Sequence, residues 1–463
     1  MKLFQPEIYS QRRAALKNNI SSGLLLFLGN NESPMNYKDN TYRFRQDSSF
    51  LYFFGLNEPG YIAIIDLDNN KEIIFGDDFT MDQIIWVGNQ QSMDSKCAAV
   101  GIAEHLPTLE FESFLKNALN QNQQIHFLPP YRDEHKIKLS NWLNIPIGAV
   151  SSNFSLNFVN AIIDLRSIKS AEEIAEMTEA VNISGEMHLA AMKTIAAGKY
   201  EYEIVSKIYG KAKEHNAYLA YPAICSVNGQ TLHNHYHGNK LQAGQLFLND
   251  SGAENEMCYA GDITRTIPVS GKFTSKQKEI YNTVLEMENT VIESLKPGIT
   301  YKSMHLLANR ILLTNLKQLG LLRGDIETML ELGVGGLFMP HGLGHMIGLD
   351  VHDMEDLGED LVGYDESMER STQLGLKSLR LAKQLQAGFT ITVEPGIYFI
   401  PDLIEKWKSE GKFTEFIEFE KLKDYYDFGG IRIEDNVLIT NNSYKVLGEP
   451  IPKTIAEIEA IMA

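Results

Sequence analysis

The chain has 463 residues, enough for two or three domains with cores of their own. Its 44% hydrophobic and 22% charged residues are ordinary for a soluble globular protein. A formal net charge of −18 argues against a general affinity for nucleic acid or anionic membrane, since both reward positive charge; only local basic patches stay open.

The N-terminus, MKLFQPEIYS, lacks the apolar core that a secretory signal needs. No apolar stretch approaches the ~20 residues of a membrane helix. Cys97, Cys225 and Cys258 are too far apart for a CxxC metal site or a disulfide framework, so a reducing cytoplasm is expected. Residues 1–162 read as a mixed α/β domain with strands at 23–28, 49–54, 61–66, 72–75 and 124–127. Asp68, Asn69 and Asn70 supply a hairpin turn between two of them. The Phe/Tyr cluster at 50–54 reads as core rather than as a cofactor box.

A domain boundary is expected near residue 163, and residues 163–463 form the second domain. Ser170 and Glu173 make a capping box, and Ile174, Met177 and Val181 follow at helical spacing. Further helices are expected at 276–295, closed by Pro297 and Gly298, and at 301–319, closed by Gly320. Residues 350–373 are polar and acidic and read as an exposed excursion.

Four acids stand in or at the ends of apolar strands, where an unpaired charge is strongly disfavoured. QLFLND ends in Asp250. Asp262 opens DITRTIPV, with Thr264 and Thr266 on the same face, and the small residues between suit a hairpin. FTITVE ends in Glu394 and is stopped by Pro395 and Gly396. GGIRIEDNV puts Arg432 and Glu434 on one face. Residues 339–353, MPHGLGHMIGLDVHD, add His341, His345 and His352, spaced by Gly342, Gly344 and Gly348. Glycines at this density weaken a helix, so a bent loop entering a short strand at 349–352 is expected.

Four converging carboxylates repel one another, and some would have to take up protons. Two divalent cations bring +4 against the −4 of Asp250, Asp262, Glu394 and Glu434, and the neutral imidazole of His345 completes five ligands. Oxygen-rich ligation without thiolate favours ions like Mn²⁺ over a structural zinc. A pair of such ions supplies water that is nucleophilic at neutral pH, which is the chemistry of a hydrolase.

These segments, in this order, resemble the aminopeptidase P and prolidase family of "pita-bread" metallopeptidases. FRQDSSFLYFFGLNEPG is similar to the non-catalytic N-terminal domain of that family, and LRSIKSAEEI to the start of its catalytic domain. The resemblance implies an α/β (α+β) chain with an N-terminal mixed domain and a C-terminal pita-bread domain. It implies that Asp250 chelates one metal, that Asp262 and Glu434 bridge two, and that His345 and Glu394 bind the other. Glu394 would take the proton of the attacking water, and His352 would stabilise the tetrahedral intermediate. His341 and Tyr398 would line the substrate site, and Arg432 would orient the carboxylates. A substrate histidine is expected upstream of Asp250. HNHYH offers His233, His235 and His237, and the spacing from Asn228 favours His233. The interval from Asp250 to Asp262 is one residue longer than usual in the family, and the extra residue is placed at 254–257.

The expected substrates are short proline-containing peptides, and the expected assembly is a homo-oligomer, dimer or tetramer. The reading leans to an Xaa-Pro aminopeptidase cleaving tripeptides and longer peptides. The alternative is a prolidase restricted to dipeptides, in which Arg380 holds the terminal carboxylate through paired hydrogen bonds. A metal-free creatinase-like amidinohydrolase and a non-catalytic binding protein on the same fold are disfavoured by the full ligand set.

Overall fold

The computed structural model describes residues 2–463. By packing, the chain forms two units: residues 1–166 together with 354–361, and residues 167–353 together with 362–463. Among the described residues no helix is long and apolar enough to cross a membrane.

The first unit is built on a five-stranded mixed sheet. Ile62–Asp66 is its middle strand, and Leu24–Leu28 lies beside it, antiparallel to it and parallel to the edge strand Ile125–His126. Ile62–Asp66 turns back into Lys71–Phe75 through the anticipated Asn-rich hairpin, where Asn70 takes a φ of 51°. Leu24, Leu26, Ile64, Ile73 and Phe75 send one face into a core shared with Phe111 and Leu115.

The expected strand at 49–54 is instead a helix, Ser48–Phe54. Asp47 caps it by accepting from the Phe50 amide at 2.8 Å, and Gly55 closes it in the left-handed region at φ 67°. All seven of its residues are buried, so the helix shows no polar stripe. An apolar run buried on every side carries no period by which to tell helix from strand. The cluster is core, as its composition implied.

The second unit opens with Ala171–Thr194, capped by the Ser170–Glu173 box as the sequence indicates. Its centre is a pair of antiparallel ribbons. In one, Leu246–Asp250 pairs with Thr264–Pro268 so that Asp250 faces Thr264. In the other, Thr390–Val393 pairs with Asp435–Ile439, and beyond a kink Gly396–Tyr398 pairs with Gly430–Arg432. The kink falls at Pro395 and Ile433, so the continuous strand expected at 429–437 is broken in two. The ribbons are joined where the Glu434 amide donates to the Thr264 carbonyl at 3.1 Å. The fully buried Arg265 donates to the carbonyls of Thr264 and Glu434 at 2.9 and 2.7 Å, and to Asp435 at 2.7 Å. It also reaches the carbonyls of Ile451 and Pro452, which holds the C-terminal segment beneath this junction.

The glycine-rich loop runs along the outer edge of Thr390–Val393. Its His345 carbonyl accepts from the Thr392 amide at 3.0 Å, and its Leu343 carbonyl accepts from that of Glu394 at 2.9 Å. A Cβ at Gly344 would stand 2.2 Å from the Thr392 carbonyl oxygen, so glycine is needed there for close approach. Residues 349–352 form bends, not the expected strand. The amide of Gly348 donates to Asp350 O and that of Asp353 to Met346 O, so these bonds close a turn rather than a ladder. The stretch expected as an exposed excursion, 350–373, buries Asp353, Met354, Leu357 and Val362.

Asp353 is pinned by Lys169 at 2.7 Å, both side chains being 1% exposed. Removing one partner of such a pair leaves a buried charge and costs about 3–5 kcal/mol, whereas replacing both is far milder. Urea unfolding should therefore show Lys169→Met to be strongly destabilised and Lys169→Met with Asp353→Leu to recover much of the loss. Equal destabilisation of the single and double variants would contradict this.

Candidate metal centre and substrate site

The two ribbons and the glycine-rich loop bring Asp262, His345 and Glu434 together, with one ligand atom from each lying within 4.8 Å of the others. All three are buried. Glu394 lies beside them, its Oε1 3.5 Å from His345 Nε2. Asp250 shares the hydroxyl of Tyr221 with Asp262, the Tyr221 oxygen lying 2.6 Å from Asp250 Oδ1. That hydroxyl has one proton and can serve only one carboxylate at a time.

Arg432 organises the acids. It donates to Asp250 Oδ2, to Tyr398 Oη at 2.6 Å, and through Nε to Thr264 Oγ1 at 3.2 Å. The Thr264 hydroxyl in turn donates a hydrogen bond to Glu434 Oε2 at 2.7 Å. The other oxygen, Glu434 Oε1, is buried and has no hydrogen-bond partner among the described residues. His345 Nδ1 donates to the Met346 carbonyl at 3.0 Å, so in the neutral ring Nε2 turns its lone pair toward Asp262 Oδ2 at 3.4 Å and toward Glu394. Lone pairs of an imidazole and three carboxylates thus face one small space. Their donor set fits a hard divalent cation, which would satisfy the orphaned Glu434 oxygen.

Burial pushes the Asp262, Glu394 and Glu434 carboxyls well above the ordinary range, and their mutual repulsion with Asp250 adds to it. The histidine beyond them is held neutral. Burial, then the charge of Arg432, pulls His341 down to about 3. Its Nδ1 donates to the Gly342 carbonyl at 2.7 Å, and its Nε2 accepts from Tyr398 Oη at 3.0 Å. The chain Arg432–Tyr398–His341 therefore carries hydrogen bonds from the acids to the site's edge. His352 stacks obliquely on His345, with ring centroids 4.1 Å apart.

The three histidines of HNHYH are placed differently only in part. His237 Nε2 donates to the Ala223 carbonyl at 3.1 Å, and His235 is exposed. His233 is exposed as well, yet its pKa is lowered by desolvation and then by Arg432, and the other charges acting on it are Asp250, Arg380 and His352. Arg380 is half-buried. Tyr221 escaped the sequence reading because it lies in an irregular stretch, where no period distinguishes it from any other tyrosine.

Residues 175–441 match metallopeptidase family M24, and residues 9–126 match the aminopeptidase P N-terminal domain. The Xaa-Pro dipeptidase of Homo sapiens is 32% identical over 96% of this chain and 90% of its own length. The Xaa-Pro aminopeptidase of Haemophilus influenzae is 32% identical over 98% of this chain and 97% of its own. Among solved structures, proline aminopeptidase P II from Yersinia pestis superposes with a TM-score of 0.82 at 30% identity, covering 99% of both chains.

The raised carboxyls give the metal-free protein a definite pH dependence. A carboxyl whose folded pKa is raised contributes stability that is complete below its unfolded value, about 4, and is lost as pH rises through its folded value. For Asp262 and Glu394 that value is about 7. Bound cations remove the cause. The difference in melting temperature between Mn²⁺-loaded and metal-free protein should widen steadily from mildly acidic to mildly alkaline pH. A difference that stays constant would contradict the assignment.

Proposed function

Because the chain belongs to metallopeptidase family M24, in the aminopeptidase P and prolidase branch, we propose that it hydrolyses the bond between an N-terminal residue and a proline in second position. The observation that carries this reading is the buried Asp262–His345–Glu434 group with its orphaned carboxylate oxygen. The names of the relatives, split between dipeptidase and aminopeptidase, supply the Xaa-Pro bond.

Asp250, Asp262, His345, Glu394 and Glu434 would hold two divalent ions, Mn²⁺ by the chemistry of the ligands, and these would supply Lewis acidity and an activated water. The remaining work falls to the chain's own groups. Glu394, with its raised carboxyl, accepts the proton of the attacking water and returns it to the proline nitrogen, which has no proton of its own to keep. His352 donates to the oxygen of the scissile carbonyl as negative charge develops there. His341, neutral and oriented by Tyr398, and His233 line the path of the peptide. Arg432 keeps Asp250 and, through Thr264, Glu434 in register.

Between the two specificities, the charge that Arg380 exerts on His233 supports a dipeptidase. A surface arginine on a basic stretch would stand apart from the site. Arg380 is half-buried, and its charge is among those that lower the His233 pKa, after burial and Arg432. A guanidinium there suits the carboxylate of a dipeptide, which it binds through two parallel hydrogen bonds. The aminopeptidase reading, toward which the sequence leans, keeps the support of the match to aminopeptidase P structures over the whole chain.

Steady-state rates on an Xaa-Pro dipeptide and an Xaa-Pro-Yaa tripeptide, with Mn²⁺ added, test both levels. Hydrolysis of either, abolished by a chelator, is expected, with the dipeptide faster. Arg380→Ala should cost about 1.5–3 kcal/mol in kcat/KM on the dipeptide and little on the tripeptide. Full activity in metal-free protein would overturn the metallopeptidase reading. Fast tripeptide cleavage with an indifferent Arg380→Ala would favour the aminopeptidase.

A further inference from the structure

His233 is carried by an irregular loop, residues 227–239, without helix or strand. Besides the bond of His237 to the Ala223 carbonyl, two side chains anchor it. Leu232, next to His233, packs on Ile224, Leu248 and Tyr398. The second anchor is Glu201, the first residue of the helix Glu201–Glu214 and fully buried. Its Oε1 accepts from the Ser226 hydroxyl at 3.0 Å and the Val227 amide at 2.9 Å. Its Oε2 accepts from the Asn239 amide at 3.1 Å and from Asn239 Nδ2 at 2.9 Å. One carboxylate therefore ties the two ends of the loop together.

The arrangement is complete in physical terms. A buried carboxylate is tolerable only with its lone pairs satisfied, and here four donors from the loop ends do so. The amides of the helix N-terminus favour the charge further. Ser226 extends the clamp inward, its hydroxyl accepting from the Asn228 amide and from Asn234 Nδ2, both at 3.0 Å. Without the Glu201 carboxylate the far end of the loop would keep its main-chain bonds, Tyr202 N to His237 O at 2.9 Å and Glu201 N to Asn239 O at 3.0 Å, but the side-chain tie between the two ends would be lost, and part of the loop's ordering would fall to substrate binding.

We infer that Glu201 is a positioning residue for substrate binding: by closing the loop at both ends it presents His233 to the peptide. The inference rests on the reading that His233 meets substrate, and it assigns to Glu201 an effect on affinity rather than on the chemical step. Glu201→Gln keeps the shape but turns one acceptor into a donor facing donors.

In the Mn²⁺-loaded full chain, Glu201→Gln should raise KM for an Xaa-Pro peptide roughly ten-fold or more, the scale of a lost hydrogen bond to a charged group, with kcat and metal content nearly unchanged. His233→Ala should raise KM similarly, and the double variant should be no worse than the worse single, because both act through one contact. Chymotrypsin should cut faster after the exposed Tyr236 in Glu201→Gln, whatever the substrate is. Should Glu201→Gln fail to fold, Ser226→Ala removes one donor of the clamp and is expected to show the same pattern more weakly. A rise in KM for His233→Ala with none for Glu201→Gln or Ser226→Ala would overturn the inference, as would multiplying effects in the double variant. An unchanged KM in His233→Ala would instead overturn the role of His233 on which it rests.

Discussion

Asp250, Asp262, Glu394 and Glu434 are held in one buried space, and their mutual repulsion is the constraint to which the second unit answers. Left alone, such a set takes up protons or pulls the backbone apart. The surroundings counter this with directed donors. Arg432 supplies charge from behind, Tyr221 and Thr264 supply single protons, and Arg265 locks the main chain where the two ribbons meet. Glu434 Oε1, which has no hydrogen-bond partner among the described residues, and the nearby Nε2 of His345 face the space in which a cation would sit.

The supporting charges are themselves buried and paired. Arg265 binds Asp435, which with Glu288 accepts from Lys453 at 2.8 Å. These contacts tie the strand that follows Glu434 to the helix Ser275–Ser294 and to the C-terminal segment. Desolvation makes such a network costly unless every member is satisfied, so it rewards a single arrangement of Asp435–Ile439 and of Glu434 just before it. Rigidity of this kind is what a constellation of ligands requires, since small displacements of any one acid change the field at all the others.

Much of the centre was legible in the sequence because its acids break a simple rule. An Asp or Glu within an alternating apolar strand stands out, and Asp250, Asp262, Glu394 and Glu434 all do. The histidine loop stood out through its glycines, although the reason for Gly344 is close approach to Thr392 rather than a bend. What escaped was whatever lacked a period. Ser48–Phe54 is buried all round, so its apolar run was indistinguishable from a strand. Tyr221 and Glu201 act through tertiary placement, one from an irregular stretch and one from the start of an ordinary amphipathic helix. Residues 349–352 alternate like a strand but satisfy their backbone in a turn closed by Asp353.

The central claim is that cations take the place of protons among these carboxylates. Titrating metal-free protein calorimetrically with Mn²⁺ near neutral pH, in two buffers of different ionisation enthalpy, counts both the ions bound and the protons displaced. The account predicts two ions per chain with net proton release. Binding without proton release, or no binding at all, would contradict it.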